Sequence, residues 1–265
     1  MSNSSAVLVD SPAPHIARLL INRPDKRNAI DNDVRRALIE SLQRIKLQPE
    51  YRAIVFGGVA GVFSAGGDLP SMVDNTEAQA RERMRLTHTV CRLVANAGLP
   101  VVSAIEGVGA GGAVGLALLG DVIVLGEGSK VLFPFLKLGL VPDWGMLRTL
   151  PRRIGLANAK RILTQGVQIN APEALRIGLV DVLVADGEVM NTAIAKAVEF
   201  SKLPQDALAR MTARLDNPAA SLDDELTSEE NDQAVCLLSA DFREGYAAFQ
   251  EKRTPDFIKA SHKPG

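Results

Sequence analysis

The chain has 265 residues, 46% of them apolar, with a formal net charge of −1. That is enough for one large domain, or a domain with an appendage, around a sizeable core; the balanced charge gives no electrostatic case for nucleic acid or an anionic membrane. Its 2 cysteines, Cys91 and Cys236, form no disulfide framework and no metal-ligand spacing, and read as reduced core residues of a cytoplasmic protein.

The opening MSNSSAVLVDSPAPH lacks a basic start and a long apolar run, so no secretory signal is expected. His15–Ile21 reads as a strand, and Asn22–Ile30 as a turn containing Pro24 and Asn28. Asp31 to Asp33 offer N-caps for a helix with Val34, Leu38, Leu42 and Ile45 on one face. Ala53–Phe56 is a short buried strand ending at Gly57 and Gly58, and Val62–Leu69 approaches a second glycine turn. A polar helix over roughly 76–97 closes at Gly98, and Pro100 restarts the chain as a strand.

Residues 101–126, VVSAIEGVGAGGAVGLALLGDVIVLG, organise the rest. Val101–Ile105 is an apolar strand, Gly107 to Gly112 a glycine-rich turn, the segment from Ala113 a small-residue helix, and Asp121–Leu125 the next strand. Glu106, the glycines and Asp121 break the apolar run, which argues against a membrane span. Glycines between strand and helix leave backbone N–H groups open to an anion. Gly107-x-Gly109-x-x-Gly112 fits a dinucleotide fingerprint, with Glu127 after the next strand. It equally fits an oxyanion hole, in which N–H groups stabilise a developing enolate or tetrahedral oxyanion.

Further on, Lys130–Phe133 reads as a strand, and 135–145 as a loop rich in Gly and Pro. Ala157–Gln165 is a helix closed by Gly166; Asn170 with Glu173 resembles a capping box for a short helix ending at Gly178. Leu179–Val184 is a last strand. The pattern from Glu188 is helical, with a cap at Ser221 and one long helix running toward 249–253. Strands alternating with helices argue an α/β core, and the final stretch a helical appendage.

Four segments, in order, resemble the enoyl-CoA hydratase/isomerase (crotonase) superfamily. Asn22-Arg-Pro-x-x-x-Asn28-Ala-Ile30 resembles its early CoA-binding turn. Phe63-Ser-Ala-Gly-Gly-Asp68-Leu69 resembles its first oxyanion loop, and Gly107-Val-Gly-Ala-Gly-Gly112 its second. Lys137-Leu-Gly-Leu-Val-Pro142, with Leu150-Pro-Arg and Ile177-Gly-Leu-Val-Asp181, resembles the segment beside the acyl chain. The dinucleotide reading explains one of these four.

The resemblance implies an α/β fold of ClpP-like type. A spiral of ββα units forms two nearly perpendicular sheets over residues 1–200, and a C-terminal helical region, 201–265, builds a homotrimer or a dimer of trimers. It implies an acyl-CoA thioester as substrate, in fatty-acid or aromatic-acid catabolism, with coenzyme A as part of that substrate and no separate cofactor or metal. By analogy the N–H groups of Gly67 and Gly112 form the oxyanion hole, lined also by Ala65 and Gly111. Asp68 and Leu69 belong to the same loop, Lys26 and Arg27 to the CoA turn, with Lys252 or Arg253 as further cations from a neighbouring subunit. Phe135 and Trp144 line the acyl pocket.

The departures from the family pattern select among its reactions. Hydratases of the family place two glutamates around water; here those positions are Gly115 and Phe135. Hydration needs a base for water and an acid for the α-carbon, and neither stands at the expected site. One carboxylate remains, Asp143 in Val-Pro-Asp-Trp-Gly. Isomerase branches, dienoyl-CoA isomerases among them, carry an aspartate there, as does the 4-chlorobenzoyl-CoA dehalogenase branch, where it is the nucleophile. A single base serves an allylic double-bond shift, so the expectation is an enoyl-CoA isomerase with Asp143 catalytic. The alternatives are an atypical hydratase and a non-catalytic acyl-CoA-binding protein, and Asp143 also reads as a cap for the helix after it. Glu106 and Glu127 read as rim charges. His15, His88 and His262 are scattered, with no G-x-S-x-G nearby.

Overall fold

The structure, a computed structural model, describes residues 5–260. His262 and the last residues of the 201–265 expectation lie outside them. The chain divides into two compact units, Met1–Ala197 and Val198–Gly265.

In the first unit β1 (Val7–Asp10) pairs antiparallel with β2 (Ile16–Ile21). The sequence reading passed over β1, four residues of which one is fully buried. Helix α1 (Asn32–Lys46) starts where expected: the Asp31 side chain accepts from Val34 N–H at 2.9 Å, satisfying a donor with no intrahelical acceptor. Val34, Leu38, Leu42 and Ile45 are all buried, and so is Arg35. Strand β3 (Ala53–Gly58) follows β2 in parallel.

Helix α2 (Glu77–Ala95) is held by a capping box of Thr76 and Gln79 that the sequence reading missed. Its C-cap is Asn96, so Gly98 lies two residues beyond the cap, not one. Strand β4 (Val101–Ile105) is buried throughout; the glycine-rich turn after it contains its own strand, β5 (Val108–Ala110). Helix α3 (Gly112–Ala117) is short and wholly buried, as small residues allow, and leads to β6 (Val122–Gly126) and β7 (Lys130–Leu132).

The expected loop 135–145 includes a turn of 3-10 helix at Phe135–Leu138 and ends at α4 (Met146–Ile154), the helix expected after Asp143, which contains Pro151. Helix α5 (Leu156–Gln165) is closed by left-handed Gly166. After β8 (Gln168–Asn170), α6 (Ala171–Arg176) is capped by Asn170. The Glu173 side chain pairs with Arg176 instead of completing a capping box. Strand β9 (Val182–Val184) is shorter than expected, and α7 (Val189–Ser201) follows.

The larger sheet runs β1-β2-β3-β4-β6-β9, with every pair after the first parallel. The smaller runs β5-β7-β8. Because β4 and β5 are separated only by Glu106 and Gly107, the chain leaves one sheet and enters the other within two residues. Gly107 makes that corner at φ +61°, where a Cβ would lie 2.6 Å from the Gly61 carbonyl oxygen.

The second unit contains α8 (Gln205–Asp216), α9 (Leu222–Leu237), α10 (Ala240–Glu251) and α11 (Phe257–Ala260). The single long helix expected after Ser221 is therefore two. Ser239 accepts from Phe242 N–H at 3.0 Å and starts a new helix there. Arg210 and Arg214 both reach Asp232, tying α8 to α9. Leu238 and Phe249 are 78% and 82% exposed. Cys91 and Cys236 are free and half-buried; Cys91 packs against the core, whereas Cys236 is not the core cysteine expected.

Candidate active site

Three loops from distant parts of the chain are laced into one rim. Ser64 N–H donates to Val108 O and Ala110 N–H to Ser64 O, pinning the first glycine loop to β5. Ser64 Oγ donates to Asn28 O at 2.7 Å and accepts from Gly66 N–H. Ile30 N–H donates to Gly66 O and Asp68 N–H to Ile30 O, the pattern of a parallel bridge centred on Gly67. In that pattern the Gly67 N–H faces away from Ile30. Among the described residues no carbonyl accepts from it, nor from the Gly112 N–H at the start of α3. Gly66 is at φ +92° and a Cβ on it would lie 2.6 Å from Ala110 O, so the loop closes only with glycine there.

Gly67 and Gly112 both border a cavity of about 450 Å³. The structure gathers Ala65, Asp68, Leu69, Gly111, Phe135, Asp143, Trp144 and Lys26 around the same space. Arg27 is not in its wall; it is exposed, at φ 50°, and its carbonyl accepts from Ala65 N–H. Lys26 donates to Asp68 at 3.3 Å, and Arg23 donates to the same carboxylate oxygen at 3.1 Å. Burial acts to raise the Asp68 pKa, but these bonds outweigh it and hold the carboxyl below the usual range. Asp68 thus ties the CoA-type turn to the glycine loop. Leu138 and Leu140, from the segment matched to the acyl wall, complete the apolar side.

Asp143 is positioned by the turn before α4. Trp144 (φ 56°) and Gly145 (φ 73°) are left-handed, Gly145 is the N-cap, and no side chain caps the helix. The Asp143 carboxylate is turned instead toward Gly112: a Cβ there would lie 3.2 Å from Oδ1. The side chain is 14% exposed, and Oδ1 is buried with no hydrogen-bond partner among the described residues. Burial raises its pKa, a shift opposed by the positive charges of Arg83 and Arg35. Trp144 is 1% exposed and lies against both Gly112 and Gly115.

Two arginines escaped the sequence reading. Arg83 on α2 lines the cavity, with Nη2 3.7 Å from Asp143 Oδ2. Arg35 on α1 donates to Thr87 and Asn32, and its guanidinium lies 6.0 Å from the Trp144 ring centroid. Periodicity held a signal for Arg83, which extends the buried stripe of Thr87, Val90 and Val94 by one turn. Glu106 and Glu127 are absent from the wall, as rim charges would be.

A profile described as enoyl-CoA hydratase/isomerase matches residues 13–260. The chain belongs to the enoyl-CoA hydratase/isomerase family. It is 32% identical to the 1,2-epoxyphenylacetyl-CoA isomerase of Escherichia coli K12, over 91% of this chain and 94% of that one. It is likewise 32% identical to the human mitochondrial enoyl-CoA hydratase domain-containing protein 2, over 93% of this chain and 87% of that one. The crystal structure of an enoyl-CoA hydratase from Bacillus anthracis superposes with a TM-score of 0.89 at 28% identity, covering 94% of this chain and 98% of that one. The fold is thus the crotonase fold, and the family acts on acyl-CoA thioesters. The dinucleotide reading of the glycine turn falls with it: Gly109 is inside β5, so the glycines do not form one strand-to-helix turn.

Proposed function

We propose that this family member is an enoyl-CoA double-bond isomerase in which Asp143 moves the proton and the Gly67 and Gly112 N–H groups hold the thioester oxygen. The observation that carries the reading is the Asp143 carboxylate beside Gly112, buried, on the cavity wall and not spent on a helix cap.

The chemistry follows from the charges. The thioester carbonyl oxygen accepts from two preorganised N–H groups. Asp143 removes a proton from the α-carbon, or from the saturated carbon at the end of a double-bond chain conjugated with the carbonyl, and the C–H electron pair delocalises through that chain to place negative charge on the oxygen. One such donor contributes roughly 3–4 kcal/mol in other enzymes. Asp143 then returns the proton to a different carbon of the same chain, and the double bond has moved. No atom is gained or lost and no oxidation state changes overall, so the reading calls for no resident cofactor. A raised pKa makes Asp143 a stronger base toward a carbon acid.

Hydration fits this wall less well. A Cβ at Gly115 would lie 2.5 Å from Trp144 Cβ, and Phe135 fills the other expected glutamate position, 6% exposed. The reading takes the chain as a cytoplasmic enzyme with free thiols at Cys91 and Cys236. It also takes the chain as a homotrimer or dimer of trimers, supported by the exposed Leu237, Leu238, Phe242 and Phe249; sedimentation as a monomer at micromolar concentration would contradict the assembly.

The test is a screen of 2-enoyl-, 3-enoyl- and dienoyl-CoA thioesters that separates mass-neutral from plus-18 products, with α-proton exchange in deuterated water beside it. Asp143→Asn is expected to lower exchange by about 10²–10⁴-fold with CoA binding intact. Equal exchange by wild type and variant, or efficient hydration of crotonyl-CoA by wild type, would overturn it.

A further inference from the structure

Arg83 is a guanidinium without a hydrogen-bonded oxygen among the described residues. Its side chain is 17% exposed, yet among those residues its Nε is buried with no partner, and its side chain donates a hydrogen bond only to the Met84 sulfur, at 3.5 Å. The nearest carboxylate oxygen, Asp143 Oδ2, is 3.7 Å away, too far for a hydrogen bond. A fork of five donors that meets Asp143 only at ion-pair distance, with no protein oxygen within hydrogen-bond distance among the described residues, has donors left for an incoming acceptor. Its position says where. Nη2 would be 3.3 Å from a Cβ on Gly67, and the same nitrogen faces Asp143. Arg83 therefore stands between the donor for the thioester oxygen and the base, alongside the acyl carbons nearest the thioester.

Charge bookkeeping points the same way. With Asp143 ionised, Arg35, Arg83 and Asp143 carry a net charge of about +1. Burial, and then repulsion from Arg83, lowers the Arg35 pKa to about 10, which leaves it charged at neutral pH. When Asp143 accepts a proton, Arg83 loses its neighbouring anion, while Arg35 keeps the charge of Asp31 nearby. A substrate oxygen beside Arg83 supplies negative potential at that moment.

We infer that Arg83 forms a subsite for an oxygen on the acyl chain, so that the preferred thioesters carry a hydroxyl, epoxide, oxo or carboxylate oxygen on the carbons next to the thioester carbonyl. This rests on the isomerase reading for the placement of the acyl chain, and it makes a plain hydrocarbon chain the poorer ligand. It also makes Arg83 a specificity-determining residue.

Calorimetry with three thioesters tests it: butyryl-CoA, 3-hydroxybutyryl-CoA as the neutral acceptor and succinyl-CoA as the anionic one. Wild type is expected to bind at least one oxygenated thioester about tenfold to a hundredfold more tightly than butyryl-CoA, the usual range for a charged hydrogen bond. Arg83→Met should bring that ratio near one, and Arg83→Lys should keep part of it for succinyl-CoA through charge alone. Melting curves establish that both variants are folded. Asp143→Asn should keep the preference while losing proton exchange, so a failed isomerase reading and a failed subsite are told apart. The same ratio in wild type and Arg83→Met, or no preference in wild type, would overturn the subsite.

Discussion

Gly115 and Trp144 touch so closely that a side chain at 115 would start 2.5 Å from the tryptophan Cβ. The indole cannot yield easily, because Trp144 is buried and its Nε1 is also 2.5 Å from a Cβ position on Gly112. The packing that orients Asp143 is thus the packing that excludes a carboxylate from position 115. Gly115→Glu should therefore fail to create hydration of crotonyl-CoA. It should destabilise the fold by at least about 1–3 kcal/mol, the usual cost of overpacking. A stable Gly115→Glu variant that hydrates crotonyl-CoA would show that the wall can open.

Asp143 links activity and stability to pH in opposite directions. Its pKa is raised, mainly by burial, with Arg83, Arg35 and His88 acting against the shift; the neighbouring Cys91 thiol, pushed up to about 12 by its own burial, stays neutral. As the proposed base it would work deprotonated, so proton exchange should fall as pH drops through a midpoint above the ordinary carboxylate range. Arg83→Met should move that midpoint further up.

For stability, a folded pKa above the unfolded one means the folded state binds the proton more tightly. The Asp143 contribution is then fully present below the unfolded pKa, about 4, and is lost as pH rises through the folded value. Asp143→Asn should accordingly melt at or above wild type at pH 7, with the difference closing toward acid. A variant that melts well below wild type at pH 7 would contradict the burial argument.

Asp68 shows the reverse sign. Its pKa is lowered because Arg23 and Lys26 more than offset its burial. Its contribution is present above the unfolded pKa and disappears as pH falls through the lower folded value. Asp68→Asn should destabilise the chain at pH 7, leave less of a deficit in strong acid, and loosen the loop that holds Gly67. Denaturant melts at neutral and acid pH measure the first two effects, and the affinity for a thioester measures the third.

The turn at 23–27 should distinguish its two candidate cations. Lys26 borders the cavity with a half-exposed ammonium, while Arg27 is outside the wall. Calorimetry with CoA should show Lys26→Ala weakening binding more than Arg27→Ala. Unchanged affinity in the double variant would remove this turn from the CoA site.

Local chemistry made much of the architecture legible. Asp31 and Ser221 cap helices because a side-chain oxygen beside an orphan N–H is a two-residue affair, and Val101–Ile105 is a strand because its apolar run has to be buried. The order of the glycine loops, the absence of glutamates at 115 and 135 and the lone Asp143 were likewise legible in the chain, through its resemblance to the family, since each needs only residue types in register. What only the tertiary structure decided depends on partners far away in sequence. Strands β5 and β8 are three residues each, too short for a periodicity of their own, and exist through pairing with β7. The direction of the Asp143 carboxylate follows from the left-handed turn at Trp144 and Gly145 pressed against α3. Periodicity places Arg83 on the inner stripe of α2, but what it faces there, Gly67 and Asp143, 16 residues before it and 60 after, is set by the fold. A sequence states which groups can ionise, but burial and neighbouring charge, which the fold alone supplies, decide which of them do chemistry.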